Sequence, residues 1–436
     1  MEEQKNIHLK KELSSIHLWA IGVGLVISGE YFGWNYGWGV AGTLGMLIAT
    51  LLITLLYFTF IFSFTELTVS IPNAGGPFTY AFKAFGPWSA LFAGYATLIE
   101  FLFATPAVAL ALGSYVHFLH PALPVMSVSV IAYVIFTIIN MLGVKEAAWF
   151  SLIMTILAII ELLVFMGIVT PHFQADIFLK DAMPFGWKGV FAALPFAIWL
   201  YVCLEGIAMV SEEAKPSKGV IAKGYISALL TLCVLAIGVM LTVGGIAPWQ
   251  NLDKLDYPLP ESIGIVLGKN NKWTKIFAGV GLFGLIASFH GIIISYSRQI
   301  FALARSGYLP SIMSRVSHKK KVPHWALVFG GLIGLIALYF FNTSDLVIIA
   351  TIGAIVMYII SMLALFRLRK IAPEMERPFK APLYPYVPVI ALLLSIVALL
   401  SMIVAYPKLF ILFIIGFIIV AIVFYFTGAH KKVELL

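Results

Sequence analysis

Charged residues are scarce in this sequence. Only 11% of its 436 residues are Asp, Glu, Lys or Arg, whereas soluble proteins contain about 25%. Hydrophobic residues make up 61% of the chain. This composition excludes a large soluble enzyme with an ordinary core and indicates a protein embedded in a lipid bilayer.

Cysteine is nearly absent as well. The sequence contains Cys203 and Cys233 alone, and each lies within an apolar run. Two such cysteines predict neither a disulfide framework nor a metal cluster, so we expect reduced thiols, no metal and no cofactor. A cleavable signal pattern is also missing: Lys5, Lys10 and Lys11 lead into an apolar run that we expect to be the first membrane span.

Long apolar stretches, separated by Pro, Gly or charged breaks, predict an all-α integral membrane protein with twelve transmembrane helices. With both termini in the cytoplasm, most of the 28 Lys and Arg residues fall on cytoplasmic segments. This distribution explains the net charge of +8 without nucleic acid as a partner. The expected location is the plasma membrane, of prokaryotic type. The predicted spans are 17–38, 42–70, 87–118, 124–143, 146–170, 189–212, 219–246, 276–304, 324–342, 345–366, 386–405 and 408–427.

Two spans contain helix-weak positions beside an acidic residue near mid-membrane. The first has Ser28 and Gly29 before Glu30, and the sixth contains a helix-weak stretch that begins near Pro195 and leads to Glu205. The two interruptions are five spans apart, which is typical of an inverted repeat with the substrate site at the breaks. Gly and Pro also serve as ordinary kinks and packing residues in membrane helices, so the prediction depends on the two breaks together.

Four glutamates lie near mid-membrane, and no Lys or Arg lies at a comparable depth. They are Glu30, Glu100, Glu161 and Glu205. A charge at the bilayer centre costs about 3 kcal/mol, so these carboxyls must be protonated or must bind a cation. Both outcomes are typical of a carrier of cations or protons. The alternative is that some of the four are neutral donors that hold helices together.

Three strings carry a family resemblance: Ile27-Ser28-Gly29-Glu30-Tyr31, Pro72-Asn73-Ala74-Gly75-Gly76-Pro77 and Ser297-Arg298-Gln299-Ile300-Phe301-Ala302-Leu303-Ala304-Arg305-Ser306-Gly307. Through them, residues 14–306 resemble the amino acid-polyamine-organocation superfamily of transporters, and its ethanolamine permease branch in particular. The resemblance implies a LeuT-like five-plus-five inverted repeat with discontinuous helices 1 and 6. The expected units are a cytoplasmic segment 1–16, a first repeat 17–170, a second repeat 189–370, two trailing helices in 386–428 and a cytoplasmic tail 429–436.

The resemblance also predicts a substrate. Amino acid carriers of this superfamily hold the substrate carboxylate with amides at the position of Ser28 and Gly29, and Glu30 would repel a carboxylate there. We therefore expect import of a small primary ammonium compound, ethanolamine, by alternating access. An amino acid permease for neutral or cationic substrates is the alternative, and a cation channel has less support. The expected substrate-binding residues are Ser28, Gly29, Glu30, Tyr31, Phe32, Glu100, Phe196, Trp199, Tyr201, Glu205 and His290.

Further roles follow from the same comparison. Trp199 precedes Glu205 by six residues, a spacing that resembles a gating tryptophan of arginine–agmatine exchangers, although packing is an equal explanation. Ala158 stands where some proton-coupled relatives have a lysine, so their mechanism does not carry over to this chain. Glu205 and Glu161 are the candidates for proton coupling. Proton symport, uniport and exchange stay open, and sodium coupling has less support. No enzyme motif is present, and the sequence predicts no oligomeric state.

Overall fold

The computed structural model describes residues 11–142, 147–216, 219–317, 322–431 and 433. Residues 1–10 of the predicted N-terminal segment, the end of the fourth predicted span at 143, the start of the fifth at 146 and residues 432 and 434–436 of the tail 429–436 lie outside the described residues. The α-helices within the described ranges are α1 (Ser15–Val26), α2 (Ser28–Tyr31), α3 (Tyr36–Ser70), α4 (Pro77–Phe85), α5 (Pro87–Leu119), α6 (Val125–Leu142), α7 (Ala147–Val169), α8 (Ala175–Leu179), α9 (Gly186–Ala192), α10 (Leu194–Trp199), α11 (Val220–Gly244), α12 (Pro258–Leu267), α13 (Lys272–Arg305), α14 (His324–Phe340), α15 (Thr343–Ile371), α16 (Tyr386–Ala405) and α17 (Pro407–Phe426).

Ten helical stretches in the described part of the chain are long and apolar enough to cross a membrane. Each overlaps a predicted span. The two other predicted spans, 17–38 and 324–342, correspond mainly to shorter helices, because α1 has 12 residues and α14 has 17. The ten stretches are Tyr36–Ser70, Pro87–Leu119, Val125–Leu142, Ser151–His172, Leu194–Glu213, Val220–Gly244, Lys272–Arg305, Thr343–Ile371, Tyr386–Ala405 and Pro407–Phe426.

Burial separates the central helices from the peripheral ones. Helices α5 and α15 are mostly buried and pack along each other, and α13 packs against α5. Helices α6, α16 and α17 instead expose apolar side chains, among them Val404 and Phe426. A helix that is apolar on every side and yet exposed is expected only in contact with lipid. Helices α6, α16 and α17 therefore lie at the lipid-facing periphery of the bundle.

The second span has a short helical stretch before its predicted start and is bent there. Helix α3 begins at Tyr36, and its helical conformation is interrupted at Gly42, where φ is +72° and which is the predicted first residue of the span. A Cβ added to Gly42 would lie 2.6 Å from the carbonyl oxygen of Ala182. Glycine thus allows both the positive φ and the close approach of the connection between α8 and α9.

The first span is interrupted next to the predicted break and again one turn later. Ile27 separates α1 from α2 but keeps a helical φ of −56°, and Ser28 to Tyr31 form α2. The chain leaves the helix at Phe32, with φ −163°, and Gly33, with φ +94°. The structure therefore interrupts the first span beside the predicted Ser28 and Gly29, where the Ser28 amide leaves the helical ladder, and unwinds it fully one turn later. The glycine at 29 also serves close packing, described below.

The sixth span is interrupted as predicted. Helix α10 ends at Trp199, a turn follows, and the chain continues as a 3₁₀-helix over Leu204–Glu213. Cys203, in the turn, has a φ of +74°. This left-handed conformation normally favours glycine. A 3₁₀-helix of this length is uncommon and marks the segment as irregular beyond the break.

Candidate functional site

The interrupted segments of the first and sixth spans contact each other. The indole Nε1 of Trp199 donates to the carbonyl oxygen of Phe32 at 3.0 Å, and the two rings are T-shaped with centroids 5.4 Å apart. Gly33 makes this contact possible, since an added Cβ there would lie 2.4 Å from the Trp199 Nε1. The structure thus brings the two breaks to one place in the bundle.

Glu30 lies on α2 beside this junction. Its side chain is fully buried, and neither carboxylate oxygen accepts a hydrogen bond from the described residues. An ionised Glu30 would interact electrostatically with the Tyr201 hydroxyl and the Cys233 thiol. A buried carboxyl without a partner is costly, so a proton or a cationic ligand is the occupant that this position needs.

The backbone amide of Ser28 is already engaged. It donates to the hydroxyl oxygen of Ser288 at 2.9 Å, and Ser288 donates in turn to the carbonyl oxygen of Gly24 at 2.7 Å. Ser288 on α13 was absent from the predicted substrate contacts. Its serine in an otherwise apolar stretch is the signal that could have identified it. The predicted role of the Ser28 amide in ligand binding therefore competes with a hydrogen bond inside the protein.

Tyr31 contacts a second buried glutamate, Glu161. Its hydroxyl donates to Glu161 Oε2 at 2.7 Å, and its own carbonyl accepts a hydrogen bond from the Tyr115 hydroxyl at 3.1 Å. Gly284 provides room for the ring, because an added Cβ would lie 2.5 Å from Tyr31 Cζ. The structure therefore pairs Tyr31 with Glu161, whereas the sequence suggested that its ring faces the ligand of Glu30.

Glu100 and Glu205 are neighbouring buried acids. Both are fully buried, and their carboxyl groups lie within hydrogen-bonding reach of each other. Glu100 Oε1 accepts a hydrogen bond from the Cys203 amide at 3.1 Å, and Glu205 Oε2 accepts one from the Tyr358 hydroxyl at 3.0 Å. Tyr358 is a further residue that the sequence analysis missed. Together these bonds connect α5, the sixth-span break and α15.

Two predicted aromatic contacts lie on different sides of the junction. The Tyr201 hydroxyl is 2.7 Å from the Thr54 hydroxyl, and its ring lies 4.9 Å from the Tyr57 ring. Phe196, one turn earlier than Trp199, has its ring 6.0 Å from that of Tyr36. Tyr201 therefore contacts the middle of α3, while Phe196 contacts its first residue.

His290 lies toward α6 and not at the junction. Its Nδ1 is 3.1 Å from the side-chain nitrogen of Asn140. It lines a cavity of about 100 Å³, here the His290 cavity, together with Gly24, Gly206 and Arg298. Arg298 also forms an ion pair of 2.8 Å with Glu213 beside this cavity. The predicted contact of His290 with the substrate thus has no direct support in this geometry.

A larger cavity of about 510 Å³, here the Asp256 cavity, is lined by Asp253, Asp256 and Phe196 among others. Asp256 accepts hydrogen bonds from the hydroxyls of Tyr36 and, at 3.0 Å, Thr343. Burial raises the pKa of Asp256, and these donors only partly offset the increase. The carboxyl thus joins the loop after α11 to the first residues of α3 and α15.

The centre between the two breaks is closed. The narrow cleft there contains no water-sized space, although it adjoins both Gly29 and Cys203. Leu25 lines both this cleft and the His290 cavity. A ligand could therefore occupy the junction only if the two broken segments moved apart.

The comparisons with known proteins identify the family. A family model described as amino acid permease matches residues 13–430. An uncharacterized transporter of Rhizobium meliloti (strain 1021) is 26% identical over 404 residues, covering 90% of this chain and 86% of the relative. The branched-chain amino acid permease BcaP of Bacillus subtilis (strain 168) is 25% identical over 407 residues, covering 88% and 86%.

A third relative, the methylthioribose transporter of Bacillus subtilis (strain 168), is 25% identical over 349 residues, covering 76% of this chain and 75% of the relative. All these names are those of transporters and not of enzymes. They support the superfamily that the sequence motifs indicated, and none of them is an ethanolamine permease. The chain therefore belongs to the amino acid permease family of membrane transporters, within the amino acid-polyamine-organocation superfamily.

Proposed function

We propose that this transporter imports a small primary ammonium compound without a carboxylate, of which ethanolamine is the example, by alternating access. The observation that carries the proposal is the carboxyl of Glu30, which is fully buried and accepts no hydrogen bond from the described residues. A primary ammonium supplies three donors and the positive charge that this carboxylate lacks. Glu30 is therefore the proposed partner of the substrate.

Two features of the junction oppose a substrate carboxylate. The Ser28 amide donates to Ser288, so it is not available to a ligand while that bond is intact. Glu30 would also repel a second negative charge, by about 4 kcal/mol for unit charges about 4 Å apart at an effective dielectric constant of about 20. A zwitterionic amino acid would meet both obstacles, and an amine would meet neither.

Trp199 is the proposed gate. Its indole is held by the carbonyl oxygen of Phe32 and covers the glycine-lined contact between the breaks. Rotation of the ring would break this one hydrogen bond and open the cleft. A substrate ammonium against the ring face would gain a cation–π contact of about 0.5–2 kcal/mol.

The proposed architecture has twelve spans and a LeuT-like five-plus-five inverted repeat, with residues 17–170 and 189–370 as the two repeats and 386–428 as trailing helices. It adds the short helices α1 and α14 to the ten longer stretches. The contact between the two broken segments supports it, as does the packing of α5 against α13, which occupy equivalent places in the two proposed repeats. We further propose that both termini face the cytoplasm and that the membrane is the plasma membrane.

An amino acid permease for neutral or cationic substrates is the second candidate. The family match and the relative named as a branched-chain amino acid permease favour it. A relative named as a methylthioribose transporter shows that membership alone does not fix the substrate. The two candidates differ in whether the substrate bears a carboxylate, so competition can separate them.

The test is uptake of labelled ethanolamine into proteoliposomes, with unlabelled ethanolamine, choline, leucine and arginine as competitors. We expect saturable uptake with counterflow, inhibited by ethanolamine and unaffected by leucine. Inhibition by amino acids alone would favour the second candidate. Flux at ion-channel rates would contradict a carrier of either kind.

A further inference from the structure

The Glu100 and Glu205 carboxyls form a pair that ammonium binding at Glu30 does not use. Glu100 comes from α5 and Glu205 from the 3₁₀ segment after the sixth-span break, and both are fully buried. The two groups lie within hydrogen-bonding reach of each other. Like charges this close in a low-dielectric interior cannot both be ionised.

The hydrogen bonds of the pair leave room for one proton. Glu100 Oε1 and Glu205 Oε2 have fixed donors, namely the Cys203 amide and the Tyr358 hydroxyl. Glu100 Oε2 and Glu205 Oε1 accept no hydrogen bond from the described residues. A single proton between these two oxygens would make one O–H···O bond and reduce the charge of the pair to −1. One proton would therefore both supply the missing hydrogen-bond donor and relieve the repulsion between two negative charges.

The backbone on either side of the pair is closely packed. The cleft along Val202 and Cys203 contains no water-sized space. On α15, a Cβ added to Gly353 would lie 2.5 Å from the carbonyl oxygen of Ala96 and 2.8 Å from the Glu100 amide nitrogen. In the ranges that the structure describes, no three His, Cys, Asp or Glu side chains are grouped to hold a metal ion.

The ionisable groups that face the pair carry no positive charge. They are the Cys203 thiol and the hydroxyls of Tyr57, Tyr225 and Tyr358, which are ordinarily neutral at pH 7. No Lys or Arg in the described part of the chain forms an ion pair with either glutamate. The Tyr358 hydroxyl lies 2.7 Å from the Tyr57 hydroxyl, which extends a chain of hydrogen bonds from the pair to α3.

We infer that Glu100 and Glu205 share one proton and that this pair is the proton-coupling site of the transporter, while Glu30 binds the ammonium. The inference rests on the proposed function. The link to the conformational change is the Cys203 amide, which joins Glu100 to the break of the sixth span. Loss of the proton would drive Glu205 away from Glu100 and strain that break, which also packs against Gly29.

The transport test uses full-length protein in proteoliposomes, with the membrane potential clamped at zero by potassium and valinomycin. One coupled proton supports about tenfold accumulation of ethanolamine for an inward gradient of about one pH unit. Glu100→Gln keeps the size of the side chain but cannot release a proton. We expect it to lose this accumulation while counterflow remains measurable, and we expect Glu374→Gln, an exposed acid, to behave as wild type.

The outcomes separate the two proposals. If wild-type protein takes up ethanolamine but a pH gradient at zero potential drives no accumulation, the inference is wrong and the proposed function stands. If ethanolamine does not enter at all, the proposed function is wrong. If Glu100→Gln still accumulates ethanolamine tenfold, the pair is not the coupling site.

An infrared measurement tests the shared proton without transport. The spectrum of wild type minus Glu205→Gln should contain one carbonyl band of a buried, protonated carboxylic acid. Tyr358→Phe removes the donor to Glu205 Oε2, so the band should shift in frequency in this variant. Absence of the band would overturn the shared proton even if both variants fold and transport.

Discussion

The carbonyl oxygen of Trp199 occupies the place where a side chain on Gly29 would begin. A Cβ built on Gly29 would lie 2.5 Å from that oxygen and 3.3 Å from the Cα of Leu200. Both obstacles are backbone atoms, which a side-chain rotation cannot move away. The two broken spans are therefore in backbone contact at the level of Glu30, the next residue.

Gly29→Ala tests whether this contact is needed for transport. The added methyl group would push the two broken segments apart, so we expect uptake to fall by at least about tenfold, an effect of about 1.4 kcal/mol. Uptake and thermal unfolding of the purified protein would both be measured. The matched control is Gly279→Ala on α13, where an added Cβ would meet nothing within 4 Å. Equal uptake by the two variants would contradict the role of the contact.

Glu30→Gln tests the partner of the ammonium. Hydrogen bonds to charged groups contribute about 1.5–3 kcal/mol, so we expect the Kd for ethanolamine to rise by about 10- to 100-fold. Because neither carboxylate oxygen accepts a bond from the described residues, the variant should fold as well as wild type. Ligand binding by scintillation proximity and a thermal-shift assay are the measurements. Unchanged affinity would exclude Glu30 as the binding group.

Trp199→Phe tests the gate. The change keeps an aromatic ring but removes the hydrogen bond to the Phe32 carbonyl, which should destabilise the closed junction by about 1 kcal/mol. We expect the rate of ethanolamine exchange to change by about fivefold. Trp38→Phe is the control, because the Trp38 Nε1 has no hydrogen-bond partner among the residues that the structure describes. Identical exchange rates in both variants would assign Trp199 to packing.

Asp256→Asn tests the hydrogen bonds at the Asp256 cavity. Burial raises the pKa of Asp256 above that of the unfolded chain, so the folded protein holds its proton more tightly. Its contribution to stability is therefore fully present below about pH 4 and declines as the pH rises through the folded-state pKa. The variant should therefore lose less thermal stability than wild type as the pH rises from about 4. Asp176→Asn, at an exposed acid, should leave the wild-type loss unchanged.

The spans were predictable because hydropathy responds to lipid and not to the details of packing. Ten long apolar helical stretches in the described part of the chain fall where the apolar runs indicated. The extent of the first break was not predictable in the same way. Helix α1 ends at Val26, beside the predicted Ser28 and Gly29, but the missing Cβ of Gly29 also accommodates the backbone at Trp199, and the chain leaves the helix fully only at Phe32 and Gly33.

The partners of the four glutamates were not predictable from spacing along the chain. Glu100 and Glu205 are more than 100 residues apart, and only the packing of α5 against the sixth-span break brings their carboxyls together. Tyr31 follows Glu30 directly, yet its hydroxyl belongs to Glu161 on α7. Neighbouring residues on a helix point in different directions, so adjacency in sequence does not imply a shared site.

The sequence by itself determined that this chain is embedded in a membrane, that it has acids near mid-membrane without basic residues at the same depth, and that two of its spans are irregular. These properties follow from composition and local pattern, because burying a charge in lipid is costly in any tertiary fold. Only the tertiary structure decided which acids are neighbours, which amides are already occupied and where the two breaks meet. Those relations depend on contacts between distant segments, and a single missing Cβ or one hydrogen bond across helices settles them.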